Sequence, residues 1–212
     1  MPHRYDLIAF DFDGTLADSF PVFLDLLDVL ADTHGFARVD RAEVELLRGL
    51  DARALLRRQR VPMWKTPRIA MDARRLMAAR IGEVRPFEGI DAMLRGLHGV
   101  GLRLAIATSN DAGNVRAVLG EELAARMAYL ECGASLLGKH VKLRRLLERA
   151  GVPAARALYV GDELRDVEAA SAAGMAFAGV AWGYTRPDVL RASGPAHWLE
   201  RPGELLDLLA AP

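Results

Sequence analysis

Two aspartates one residue apart, Asp11 and Asp13, stand where a short apolar run meets a glycine. The run is Tyr5-Asp6-Leu7-Ile8-Ala9-Phe10, rich in strand formers, and Gly14-Thr15 follows the second aspartate. Side chains i and i+2 share one face of a strand, and Gly14 permits a sharp turn directly behind them. Both carboxylates can then point into one crevice at the carboxyl end of a buried strand, where open α/β sheets bind ligands. Ser19 and Pro21 next supply an N-cap and a first-turn proline for a helix. In that position one carboxylate, held beside a divalent cation, can attack phosphorus. The other can give a proton to the leaving oxygen and later take one from water. Thr15 offers a hydroxyl and an N–H to phosphate oxygens. The plain alternative is an acidic turn, since Asp-Gly pairs commonly form turns.

The chain is 212 residues long, which suits one core with an inserted module. Apolar residues make up 51% and charged residues 26%, so a packed interior is expected rather than disorder. Lys plus Arg and Asp plus Glu both number 28, and this balance argues against nucleic acid or an anionic membrane surface as partner. The single cysteine, Cys132, can form neither an internal disulfide nor a zinc site. The amino terminus lacks an apolar signal core and no apolar run approaches a membrane span, so a soluble, cytoplasmic protein is expected.

Residues 20–85 read as helices only. Phe23, Leu26, Leu27 and Leu30 recur at helical spacing and Gly35 marks a stop. Asp40 with Glu43 forms a capping pair for a second helix through Val44, Leu47 and Leu50. Asp51 caps a third, ending before Pro62, and Thr66-Pro67 opens a fourth, with Ile69, Ala73, Leu76 and Met77 on one face. From Pro86 the pattern changes to helices alternating with apolar runs at 102–107, 157–160 and 175–180. That alternation predicts a doubly wound parallel α/β sheet, Rossmann-like, with helices on both faces. The expected division is a core of 1–18 and 86–212 and a small all-helical cap, 19–85, inserted over the crevice.

Two further strand ends carry polar side chains. Leu104-Ala105-Ile106-Ala107 runs into Thr108-Ser109-Asn110, where a hydroxyl and the backbone amides of a turn can meet an anion. Ala157-Leu158-Tyr159-Val160 runs into Gly161-Asp162-Glu163-Leu164-Arg165-Asp166, which places Asp162 and Asp166 at the same end of the sheet. Clustered carboxylates around a phosphoryl group need a cation, and Gly138-Lys139-His140-Val141-Lys142 offers two lysines at a helix start. A lysine there is otherwise a solvated helix residue.

Asp11-Phe12-Asp13-Gly14-Thr15 resembles the first signature of the haloacid dehalogenase-like superfamily, in its phosphatase branch. Thr108 resembles the second signature, and Gly161-Asp162 with Asp166 the fourth. Gly179-Val180-Ala181-Trp182-Gly183-Tyr184 and the closing helical segment 204–209 look like the tail of phosphoglycolate-phosphatase-like members, a group close to the sugar-phosphate mutases. The third signature departs from the family pattern, lacking Lys-Pro. Lys139, twenty-three residues before Asp162, fits the family spacing better than Lys142. The resemblance implies a Mg²⁺-dependent phosphomonoester phosphatase acting on a small phosphorylated metabolite through an aspartyl-phosphate. It implies Asp11 as nucleophile and Asp13 as acid and base. Gly14, Thr15, Thr108, Ser109 and Lys139 would bind the phosphate. Asp11, the Asp13 carbonyl and Asp162 would bind the metal, with Asp166 behind them. A phosphomutase on the same scaffold and a phosphate-binding regulator without turnover are the competing readings. Arg48, Arg53, Trp64 and Lys65 are cap residues that can face the crevice, Trp182 and Tyr184 are assigned to packing, and the chain is expected to be a monomer or dimer.

Overall fold

The computed structural model describes residues 4–50, 52–133 and 138–210. Its centre is β1 (Leu7–Phe10), with all four residues buried. A strand covered on both faces must be apolar throughout, and Leu7-Ile8-Ala9-Phe10 is. The sheet continues with β4 (Arg103–Ala107) and β5 (Met127–Glu131) on one side of β1. On the other lie β6 (Ala157–Gly161), β7 (Ala176–Val180) and β8 (His197–Leu199). The order is β5-β4-β1-β6-β7-β8 and every pairing is parallel. This is the doubly wound α/β sheet that the alternation predicts.

The pleat divides the core in two. Ile8, Phe10, Leu104, Ile106, Leu158 and Val160 face one apolar layer. It is closed by α5 (Ile90–Gly99), α6 (Ala112–Ala124) and α10 (Glu204–Ala210). Leu7, Ala9, Ala105, Ala107, Ala157 and Tyr159 face the other layer, under α7 (Lys139–Ala150), α8 (Leu164–Ala173) and α9 (Pro187–Ala192).

Between β1 and β4 the chain leaves the sheet through β2 (Ala17–Asp18) and returns through β3 (Arg85–Pro86), which pair antiparallel, Ala17 with Pro86 and Asp18 with Arg85. The intervening segment contains α1 (Phe20–His34), α2 (Val44–Leu47), α3 (Ala52–Arg58) and α4 (Thr66–Ala79). Helix α1 ends at Gly35, whose φ of 69° lets it close the last turn on Ala31 O. Among the described residues no helix is long and apolar enough to cross a membrane.

The elements depart from expectation at several points. Ser19 occupies the N-cap position of α1, but its hydroxyl caps nothing. Asp40 accepts from Ala42 N at 2.9 Å and caps a 3-10 turn, while Glu43 pairs with Arg58 instead of completing a capping box. Helix α4 begins at Thr66 itself, with Lys65 at the N-cap, and the one residue it buries is Asp72, 7% exposed and beside Arg68 and His34. Asp51 and the Arg53 side chain lie outside the described residues. Strands β5 and β8 and the β2–β3 pair were not legible as strands. Strand β8 and the β2–β3 pair have only two or three residues each. Strand β5, at an edge, follows α6 after only two residues, so its apolar run Met127-Ala128-Tyr129-Leu130 is not set off by a turn signal.

Candidate active site

The three central strands β4, β1 and β6 end side by side, so the loops after Ala107, Phe10 and Gly161 converge. Asp11 follows β1 directly and is 2% exposed; its Oδ1 accepts from Phe12 N at 2.8 Å. Lys139, the first residue of α7, stands with Nζ 2.6 Å from Asp11 Oδ2 and 2.5 Å from Asp166 Oδ1. Asp162 follows β6, fully buried, and accepts from the Thr15 hydroxyl at 2.7 Å and from Tyr184 N at 2.7 Å. Asp166 reaches back to Glu163 N at 3.1 Å as half of a capping box that starts α8. Asp11, Asp162 and Asp166 each bring an oxygen within 4.8 Å of the others.

Asp13 points elsewhere. Its Oδ1 accepts from Ser19 Oγ at 2.9 Å, and Asn110 Nδ2 lies 3.2 Å from Oδ2. Thr108 is buried at the end of β4, and its hydroxyl oxygen accepts from Asn110 N at 3.0 Å. Thr108, Ser109, Lys139 and Arg165 line a cavity of about 450 Å³. A larger one, about 720 Å³, lies between the α1–α3 segment and the start of α8, with Phe20, Phe23, Leu47, Arg165 and Tyr184 on its walls.

Charge follows from this burial. Loss of water pushes Asp11 up to about 7, against the pull of Lys139. Asp162 is raised well above the carboxylate range, first by burial and then by the charges of Glu163, Asp166 and Asp11. Burial also raises Asp13, while the hydrogen bonds from Ser19 and Asn110 oppose it. For Lys139, burial disfavours the charge, but Asp11 and Asp166 outweigh it and hold the ammonium above its ordinary range.

An all-oxygen set of buried carboxylates with net negative charge suits a hard divalent cation. The orientation of two expected phosphate ligands differs from the sequence reading. Gly14 N donates to Ala17 O at 2.9 Å, and the Thr15 hydroxyl is committed to Asp162. Gly14 matters instead for space: with φ at 78°, a Cβ there would stand 2.3 Å from Asp162 Oδ2. Lys142 is not solvated. It is 5% exposed and donates to the carbonyls of Thr108 and Gly133, and burial lowers its pKa.

The sequence profile of the haloacid dehalogenase-like hydrolases matches residues 8–180. The chain belongs to this family. A phosphoglycolate phosphatase of Synechococcus elongatus is 33% identical over 200 residues, covering 94% of each chain. An N-acetylmuramic acid 6-phosphate phosphatase of Pseudomonas aeruginosa is 29% identical, covering 97% of this chain and 95% of its own. Among solved structures, a haloacid dehalogenase-like hydrolase of Streptococcus pneumoniae superposes with a TM-score of 0.81 at 19% identity, covering 96% of this chain and 98% of that one.

Several residues of this hydrolase's site escaped the sequence reading. Asn110 touches Asp13, although only its place beside Thr108 hinted at it. Arg48, expected to face the crevice, lines the larger cavity, where it donates to Tyr184 O at 2.9 Å and Gly183 O at 2.8 Å and pairs with Glu45. Trp64 is 77% exposed, and Lys65 donates to His34 O at 2.8 Å. Tyr184 does more than pack: its hydroxyl lies 2.7 Å from Ser19 Oγ. Trp182 donates to Thr15 O at 3.0 Å, tying the same loop to the acidic turn.

Proposed function

We propose that this hydrolase is a Mg²⁺-dependent phosphatase of small phosphomonoesters that works through an aspartyl-phosphate on Asp11. The observation that carries the reading is Lys139 bridging Asp11 and Asp166 beside the buried Asp162. Asp11 attacks phosphorus in line, forming the acyl-phosphate bond as the ester P–O bond breaks. Asp13 gives its proton to the departing alkoxide oxygen. The Asp13 carboxylate next takes a proton from water as that water attacks the acyl phosphate, releasing inorganic phosphate and freeing Asp11. Thr108, Ser109 and Lys139 hold the phosphoryl oxygens and offset their charge. Asp11, Asp162 and the Asp13 carbonyl would hold Mg²⁺, which supplies Lewis-acid stabilisation of the phosphoryl charge. Asp166 orients Lys139. Residues 19–85 act as a cap over this site, and the larger cavity takes the leaving group.

The test is turnover of a panel of small phosphomonoesters, 2-phosphoglycolate among them, with and without chelator. Chelation should abolish phosphate release and Mg²⁺ should restore it. Asp11→Asn should lower turnover by at least about a thousandfold, because the attacking charge is gone while the shape is kept. Full activity without metal, or an active Asp11→Asn protein, would refute the reading.

A further inference from the structure

We propose that Ser19 and Tyr184 are positioning residues for Asp13, fixing which of its two oxygens carries the proton given to the leaving group. The inference rests on the phosphatase reading and deepens it. Ser19 is fully buried at the position where a side-chain helix cap is expected, yet it makes no cap bond; its hydroxyl turns to Asp13 Oδ1 at 2.9 Å. Tyr184 OH lies 2.7 Å from the same Ser19 oxygen.

A hydroxyl has one proton to donate. Ser19 spends its proton on Asp13, so the contact with Tyr184 has the phenol as donor. The chain runs from Tyr184 O–H to Ser19 Oγ, and from Ser19 O–H to Asp13 Oδ1. Bonds in such a chain polarise and strengthen one another. A proton on Oδ1 either turns toward Ser19 and leaves one proton of the Ser19–Tyr184 pair without an acceptor among the described residues, or turns away and leaves Ser19 donating to the weaker, hydroxyl oxygen of the acid. The acidic form of Asp13 therefore carries its proton on Oδ2. The Asn110 amide does not set this choice, since its nitrogen straddles the carboxylate at 3.4 Å from Oδ1 and 3.2 Å from Oδ2.

The donor end of the chain is itself held in place. The Tyr184 ring packs on Phe20 and Phe23 of α1, with centroids 5.0 and 5.8 Å away. Its backbone N–H is bound to Asp162 Oδ2 at 2.7 Å, and its carbonyl accepts from Arg48. The phenol oxygen thus sits between the first helix of the inserted segment and the acidic loop after β6. A shift of either moves the proton on Asp13.

The experiment compares leaving groups. A p-nitrophenolate departs without a proton, whereas an alkoxide needs one, so only alkyl esters depend on where the acid proton sits. The comparison uses kcat/KM, which reports steps through phosphoryl transfer, for p-nitrophenyl phosphate and for the best alkyl phosphomonoester of the panel. Tyr184→Phe keeps the ring stacking and removes only the hydroxyl. It should lower the alkyl-to-aryl ratio about tenfold, and Ser19→Ala at least as much, with melting temperatures showing both variants folded. A merely structural role would depress both esters together. An active wild type whose ratio is unchanged in both variants overturns this inference alone. A wild type inert toward both esters overturns the phosphatase reading and this inference with it.

Discussion

A side chain at Gly183 has no place to go: its Cβ would stand 2.1 Å from Asp162 Cβ and 2.6 Å from Oδ2. Gly183→Ala must therefore displace Asp162 or the loop that carries Tyr184. A misplacement of about 1 Å at a reacting centre costs roughly a hundredfold, so kcat should fall by at least about that factor while the fold survives. Steady-state kinetics beside a melting curve checks it, and an alanine variant with full activity would show the loop to be free to move. Lys139→Met should likewise lower turnover about a hundredfold or more, the scale of removing one preorganised donor. Single residues were legible in the sequence where chemistry coincides with a strand end. Asp11, Asp13, Thr108, Asp162 and Asp166 each follow an apolar run within a few positions. What stayed hidden was side-chain contact across long separations. Ser19 and Tyr184 are 165 positions apart, and Arg48 and Gly183 are 135 apart, so no local pattern announces either pairing.

The elements α7, β4 and the turn after β5 meet at one ammonium group. Lys142 lies in the first turn of α7 and donates to Thr108 O, just past β4, and to Gly133 O, just past β5. The sequence suggested an outward-facing lysine because its position near a helix start is usually solvated. The turn at 131–133 closes over it, a tertiary effect that helical spacing does not encode. Removing the donor leaves two carbonyls short of a partner, at about 1–3 kcal/mol. Lys142→Met should thus lower the urea midpoint by that equivalent and reduce turnover modestly by loosening Thr108, whereas Lys139→Met strips two buried carboxylates of their counter-ion and should cost far more turnover. Steady-state kinetics beside urea titration of the two variants separates them. Strong periodicity made α1, β4, β6 and β7 legible to within a residue or two. The 3-10 turn at Arg41–Glu43, which shortens the second helix to α2, follows from how Asp40 spends its carboxylate on Ala42 N.

Across the whole molecule, Tyr5 before the first strand meets His197 on the last, hydroxyl to Nε2 at 2.8 Å. Burial, with Arg4 adding to it, holds the His197 pKa below its ordinary value. The unfolded chain then binds a proton near pH 6.5 that the folded chain resists, so stability is fully present above that pH and declines as pH falls toward the folded value. The raised carboxylates of the site act alike in the parent and in His197→Gln, so the test is the difference between the two. The parent's urea midpoint should lose ground relative to His197→Gln as pH falls from about 7.5 to about 5.5, and a difference that does not change with pH would contradict the assignment. The parallel sheet was foreseeable from the alternation of elements, but its order was not, since pairing between distant strands leaves no mark on either one alone. That order has a consequence for biosynthesis. Strand β1 emerges first from the ribosome, yet its neighbours are β4, from residue 103, and β6, from residue 157. Until about three quarters of the chain has been made, Leu7-Ile8-Ala9-Phe10 waits with at least one edge unpaired, a slow, aggregation-exposed condition. A nascent chain stalled before residue 157 carries Asp11 without Asp162, so under the proposed mechanism a carboxylate translated near the start waits for β6, the fourth of the six sheet strands in chain order, to dock beside it.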